Sequence, residues 1–242
     1  MWRLRGPYPH PRRSAAAEAA PDCSASLPRV VNPNLPSLHA LVLAAGASRR
    51  YGSPKQLALI DGVPMLRRVI DTAISVLPPD AEGPRVTVVL GAHAHAIRAA
   101  IDLRDVREAD CADWDSGLAH SLRCGLTEMA RRSEGTSPNE TQSATSAALL
   151  MLGDTPFLTA SDLRRLIIAW QAAPDVPAAS QYAGTIGAPC ILPRAVWPEI
   201  EALKGDRGAG AWLKARRATN GILTLVAMPM AAHDVDRPQI MD

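Results

Sequence analysis

Leu38-His-Ala-Leu-Val-Leu43, continuing without a break into Ala44-Ala45-Gly46-Ala47-Ser48-Arg49-Arg50-Tyr51-Gly52-Ser53-Pro54-Lys55, is the stretch that decides the fold. A short, almost wholly apolar run bounded by a glycine turn reads as a buried strand. A basic, glycine-containing loop directly after a strand is where an α/β protein places a ligand site.

The same order recurs downstream. Pro64 suits a first helical position, and Leu66, Val69, Ile70, Ala73 and Ile74 form one apolar stripe, predicting a helix from about 64 to 77. Arg85–Leu90 predicts a second buried strand, followed by Gly91 and an Ala-rich helix to about Ile101. A brief strand near Val106 and a helix from about Ser116 to Arg132 come next, then a polar loop from Ser133 to Ser146. Ala147–Leu152 predicts a third strong strand ending in Gly153-Asp154-Thr155-Pro156, after which Thr159 is positioned to cap a helix reaching Trp170. The remainder predicts a strand at 176–180, a turn at Gly184–Gly187, a strand at Cys190–Leu192, two short helices and a strand at Ile222–Val226. Repeated strand-helix units predict a three-layer α/β/α, Rossmann-like fold with a mostly parallel mixed sheet.

Of the 242 residues, 47% are apolar, enough for one large α/β domain, expected over residues 37–242. Residues 1–36 are rich in Pro, Arg, Ala and Ser without periodicity, so disorder is the expected state; a mis-assigned start codon explains them equally well. No stretch approaches the roughly 18 to 20 apolar residues needed to span a bilayer, and Ala15–Ala20, interrupted by Glu18, is too short and polar for a secretory core. A net charge of +2 gives no field strong enough to imply nucleic acid as partner, and no membrane partner is expected. Cys23, Cys111, Cys124 and Cys190 form no C-x-x-C pair and have no His at ligand spacing, so they read as reduced thiols of a cytoplasmic protein.

Three clusters fall after strands. In the first loop Gly46 permits close approach to a phosphate, and Arg49, Arg50 and Lys55 supply positive charge beside exposed backbone N–H groups; a tight turn with solvated basic residues is the alternative. The loop is neither a Walker A nor a G-x-G-x-x-G sequence. Asp154, at the end of an apolar strand, is costly to bury unless paired or metal-bound, and Mg²⁺ favours one or two carboxylates plus substrate phosphates; a turn or capping Asp is the alternative. In Asp234-Val-Asp236, alternation puts both carboxylates on one side of an extended segment.

Together these clusters resemble the MobA-like nucleotidyltransferase family, of nucleotide-diphospho-sugar transferase type fold, and within it the molybdenum cofactor cytidylyltransferases. The resemblance covers residues 38–242. It is carried by Leu43-Ala44-Ala45-Gly46-x-Ser48-Arg49-Arg50-x-Gly52-x-x-Lys55, Leu152-Gly153-Asp154-x-Pro156, Gly184-x-x-Gly187-x-Pro189, and Gly205-Asp206-x-Gly208-Ala209 before Asp234-x-Asp236. The segment from Asp113 to Leu126 is similar to that family's connection into its central helix.

The resemblance implies transfer of CMP from CTP to molybdopterin with release of pyrophosphate. It implies that Arg50, Lys55 and Asp154 act in catalysis and that Leu43, Ala44, Ala45, Gly46, Ser48, Arg49, Lys55 and Gly91 hold the nucleotide. Asp154 and Asp236 are the implied Mg²⁺ ligands, and Trp114, Ser121, Gly187 and Pro189 the implied acceptor contacts. A molybdenum hydroxylase is the implied recipient. Where the guanylyl branch has Gly, this chain has Ala45, whose methyl is expected to narrow the pocket toward a pyrimidine. The family usually carries Met where Tyr51 stands and His where Ala188 stands, and the missing imidazole bears on acceptor recognition. A final helix common in relatives is not expected after Asp236.

Two other functions fit the same motifs: nucleotidyl transfer to a sugar or polyol phosphate, and non-catalytic carriage of the molybdenum cofactor. His93 and His95, two apart near a helix start, read as surface residues rather than a metal pair. Trp170, Trp197 and Trp212 read as core aromatics.

Overall fold

A computed structural model describes residues 37–80, 83–134 and 145–235; the expected disorder of residues 1–36 and the role of Asp236 fall outside them. Among the described residues, nine strands and six α-helices follow in chain order. They are β1 (Leu38–Leu43), β2 (Leu59–Ile60), β3 (Val63–Pro64), α1 (Met65–Val76), β4 (Val86–Leu90), α2 (Ala94–Ala100), β5 (Arg107–Asp110), α3 (Leu118–Glu134) and β6 (Ala147–Leu152). Then come α4 (Ala160–Gln171), β7 (Ala178–Tyr182), β8 (Thr185–Pro193), α5 (Trp197–Glu201), α6 (Ala209–Ala218) and β9 (Thr224–Ala227).

Seven strands make one sheet in the order β5-β4-β1-β6-β8-β7-β9. All run the same way except β8, which is antiparallel to both β6 and β7. β1 sits centrally, paired in parallel with β4 on one side and β6 on the other. Every residue of β1 is buried, His39 included, as its almost wholly apolar run leads one to expect.

Alternation along β1 divides the core. Leu38, Ala40 and Val42 pack with Leu66, Val69 and Ile70 of α1, Ile97 of α2 and Leu163 and Leu166 of α4. Leu41 and Leu43 face the other way, onto Leu122, Leu126 and Met129 of α3, Ile200 of α5 and Leu213 of α6. The molecule is therefore the expected three-layer α/β/α sandwich. Trp170, Trp197 and Trp212 are buried in it. Thr159 caps α4 in a reciprocal box with Asp162, two backbone donors at the helix start being satisfied at once.

The structure corrects two expectations. The turn assigned to Gly184–Gly187 lies instead at Ala183-Gly184, both with positive φ, and β8 starts directly after it. Gly187 and Pro189 are therefore strand residues, tolerated because the β7–β8 register shifts at Ala179/Ser180 and because the Pro189 carbonyl still accepts from Ser180 Oγ at 2.6 Å. Cys111, Cys124 and Cys190 are free thiols, but the expectation of no close pair and no His at ligand spacing fails: Cys124 Sγ lies 2.7 Å from Cys111 Sγ, with His120, four positions before Cys124, within 4.8 Å of both.

Among the described residues, no helix is long and apolar enough to cross a membrane.

Candidate active site

Because β1, β4 and β6 are parallel neighbours, their carboxyl ends bring the segments after Leu43, Leu90 and Leu152 to one edge of the sheet. There an open cavity of about 530 Å³ is lined by Leu43 through Tyr51, Lys55, Gln56, Trp114, Asp115, Gly117, Leu118, Ser121, Leu152, Gly153, Asp154 and Asp206.

The loop after β1 is held from below and within. Ala44 N–H donates to Val89 O, extending the sheet by one residue, and Ala92 N–H donates to Ala45 O. Ser48 adopts a left-handed conformation (φ 52°) that reverses the chain, with Tyr51 and Gly52 N–H both reaching its carbonyl. Gln56, buried at 3% exposure, donates to the carbonyls of Ala44 (3.1 Å) and Gly46 (3.0 Å) and accepts from Ser48 Oγ (3.1 Å). His93 Nε2 lies 2.9 Å from the Ala47 carbonyl, which accepts from it. With its carbonyls engaged beneath, the loop leaves Gly46, Arg49 and Arg50 exposed at the cavity.

Opposite stands Asp154. Its Oδ2 accepts from Lys55 Nζ at 2.6 Å, and its Oδ1 is buried with no hydrogen-bond partner among the described residues. An orphaned, buried carboxylate oxygen is expensive. The donor set fits a hard cation, which a carboxylate at a phosphate site is suited to hold. Val235 N–H donates to the Asp154 carbonyl at 3.1 Å, which brings the C-terminal segment to the site; Asp236, the second implied ligand, lies outside the described residues.

A third wall comes from the connection between β5 and α3. Trp114 is half-buried and Ser121 buried, and both line the cavity. Gly117 has φ +104°, and a Cβ there would lie 2.5 Å from the backbone of Gly205, so only glycine lets the two turns touch. That contact, tied by Ala119 N–H to Gly205 O at 3.0 Å, brings Asp206 into the cavity.

A family model described as a MobA-like NTP transferase domain matches residues 40–220. The chain belongs to the MobA-like NTP transferase family. Among curated proteins, the bifunctional protein GlmU of Burkholderia thailandensis is 33% identical over 131 residues, which is 53% of this chain and 25% of that protein. The chain thus spans about a quarter of the length of such relatives. Among solved structures, Rv0371c from Mycobacterium tuberculosis is 27% identical with a TM-score of 0.63, covering 84% of this chain and 94% of that one. Its complex with manganese aligns with a TM-score of 0.59 over 80% of this chain and 89% of that one. Molybdopterin-guanine dinucleotide biosynthesis protein A from Archaeoglobus fulgidus shares the fold at 14% identity, TM-score 0.56, over 83% and 93% of the two chains.

Within this MobA-like frame, most residues singled out by sequence line one cavity: Leu43, Ala44, Ala45, Gly46, Ser48, Arg49, Arg50, Lys55, Asp154, Trp114 and Ser121. Three do not. Gly91 lies beneath the loop, where a Cβ would come within 2.7 Å of both Ala45 O and Trp114 Cβ. It lets the β4 end pass under the loop. Gly187 and Pro189 are buried in β8, with Gly187 against the Tyr182 hydroxyl.

Ala45 touches the same packing. It lines the cavity but is buried at 3% exposure, and its methyl would lie 2.8 Å from a Cβ at Gly91, so packing against the end of β4 fixes where that methyl stands.

Sequence reading missed Gln56, His93 and Asp206. Gln56 directly follows a recognised motif residue, and Asp206 belongs to a motif quoted only for its family resemblance. The contact of His93 with a loop carbonyl has no sequence signal.

Proposed function

We propose that this chain is a magnesium-dependent nucleotidyltransferase that transfers CMP from CTP to molybdopterin. The carrying observation is the meeting, in one cavity, of the Ala44–Arg50 loop with the Lys55–Asp154 pair. The membership of an NTP transferase family supports the donor class, and the manganese complex of Rv0371c supports a divalent cation. The choice of CTP and of molybdopterin rests on the resemblance carried by the Gly184–Pro189 and Gly205–Ala209 motifs, with Ala45 in the place where the guanylyl branch has Gly.

In the proposed reaction an acceptor phosphate oxygen attacks the α-phosphorus of CTP in line. The new P–O bond forms as the bond to the bridging oxygen breaks, and pyrophosphate leaves. Such transfers ask the protein for positioning and charge neutralisation more than for covalent chemistry. Arg49 and Arg50 lie at the open rim, where they meet the triphosphate. Lys55 exchanges part of its pairing with Asp154 for a phosphate oxygen, leaving the carboxylate free for the cation. Asp154, through Oδ1 and with Asp236, would hold Mg²⁺, which supplies neutralisation of the phosphate charge and orientation of the leaving group. Trp114 and Ser121 line the wall where the acceptor enters, and the ring offers a face for stacking.

Pyrophosphate release across a panel of nucleoside triphosphates and acceptors tests the assignment. CTP with molybdopterin is expected to give turnover. Turnover with a sugar or polyol phosphate and none with molybdopterin overturns the acceptor, and binding of the cofactor without pyrophosphate release under any combination overturns the enzyme in favour of a carrier.

A further inference from the structure

The segment that forms the Trp114 wall is bracketed by two cysteines. Cys111 is the residue after β5, buried at 2% exposure, its N–H donating to Leu90 O. Cys124 lies on α3, thirteen positions later, and is half-buried. Their sulfurs are 2.7 Å apart, and His120, one helical turn before Cys124 and on the same face, puts a ring nitrogen within 4.8 Å of both. Between them lie Trp114, Asp115, Gly117, Leu118 and Ser121, all cavity residues.

We propose that Cys111 and Cys124 form an oxidation site, a dithiol that peroxide converts to a disulfide and that thereby fastens this wall of the cavity. Two thiols and a histidine are also a plausible zinc set, but the geometry favours the sulfur–sulfur bond. Two thiolates at about 2.3 Å from a tetrahedral zinc stand nearly 4 Å apart, and these sulfurs are already much closer. The two positions divide the labour of a redox pair. Burial, followed by the contact with Cys124, pushes the Cys111 thiol up to about 12, so it is not the sulfur that reacts first. Cys124 is the more accessible of the two, with His120 beside it.

The steps balance. The Cys124 sulfur attacks a peroxide oxygen and becomes a sulfenic acid, and the displaced hydroxide leaves as water with the proton given up by the Cys124 thiol. Cys111 sulfur then attacks Cys124 sulfur; the S–S bond forms as the S–O bond breaks, and the hydroxyl departs with the Cys111 proton as a second water. Two thiols and one hydrogen peroxide give one disulfide and two waters. Cys190, buried in β8 with its thiol pushed up to about 12 by burial, serves as the unreactive internal control.

The test uses the whole chain, reduced and then exposed to stoichiometric hydrogen peroxide, with peptide mapping, metal analysis and thermal melting; it does not depend on the nucleotidyltransferase reading. The expected result is a Cys111–Cys124 cross-linked peptide, loss of two hydrogens, and a rise in Tm of about 5–10 °C that dithiothreitol reverses. Cys111→Ser is expected to accumulate oxygen on Cys124 without a cross-link; if that buried variant does not fold, Cys124→Ser is expected to show neither cross-link nor Tm rise. A wild-type chain that gains oxygen on Cys124 with no cross-link, or one that carries a stoichiometric zinc and resists peroxide, overturns the proposal.

Discussion

Lys55 Nζ and Asp154 Oδ2 meet at 2.6 Å across the mouth of the cavity, although ninety-nine positions separate the two residues in sequence. One comes from the loop after β1 and the other from the end of β6, so the parallel pairing of those strands is what makes the contact. With only one carboxylate oxygen satisfied, the pair holds a lysine against the carboxylate while leaving a coordination point open. Both side chains are largely shielded, at 17% and 22% exposure, so loss of either partner leaves a poorly solvated charge.

Replacing Asp154 by Asn keeps the shape and a hydrogen-bonding group but removes the charge that holds the cation. Turnover is expected to fall about 100-fold or more, as for loss of a charge stabiliser in other transfers, with the circular dichroism spectrum unchanged. Pyrophosphate release at saturating nucleotide measures this, and a rate equal to wild type removes Asp154 from the mechanism.

Gln56→Leu fills nearly the same volume while removing the side chain's hydrogen bonds to Ala44, Gly46 and Ser48 of the loop. The carbonyls of Ala44 and Gly46 then lose their side-chain donor. The expected costs are about 2–3 kcal/mol of stability and weakened nucleotide binding. Chemical denaturation and nucleotide titration check both; an unchanged affinity separates the loop's shape from binding.

Gly91→Ala places a methyl within 2.7 Å of Ala45 O and Trp114 Cβ. Backbone on one side and a ring-bearing residue on the other leave little room, so about 1–3 kcal/mol of destabilisation is expected from overpacking. Because the strain falls under the nucleotide loop, KM for nucleotide is expected to rise along with the loss in Tm. A variant with wild-type KM and Tm shows that the loop is not seated on this residue.

Burial holds the Cys190 thiol up at about 12, against an ordinary value of 9.0. The folded state therefore keeps its proton where the unfolded chain releases it. This contribution to stability is intact below pH 9 and is lost as pH rises from 9 toward 12, with a limiting slope of about 1.4 kcal/mol per pH unit. Urea melts of wild type and Cys190→Ala across pH 8–10.5 are expected to converge as pH rises. Parallel curves contradict the linkage.

How much of this was legible follows from the physics of each element. The β1 run and the β6 run were readable because strands buried on both faces are almost wholly apolar, and Thr159 because a capping box has a fixed local pattern. The β2–β3 hairpin was overlooked: its strands have two residues each, too short for periodicity, although Asp61-Gly62, both with positive φ, is a turn signal. The extent of β8 was hidden by Gly187 and Pro189, which usually end strands. Asp154 and Lys55 could be named from the rule that sites lie at carboxyl ends of parallel strands, but their contact, the orphaned Oδ1 and the meeting of Cys111 with Cys124 depend on strand order, which no local pattern carries.

The most direct test of the central claim is a crystal structure of the protein soaked with CTP and Mg²⁺. The account predicts the triphosphate against the Ala44–Arg50 loop and Lys55, with the cation bound to Asp154 through Oδ1. A nucleotide bound elsewhere, or one seated on the loop with Asp154 still bound to Lys55 alone and no cation beside it, contradicts the account.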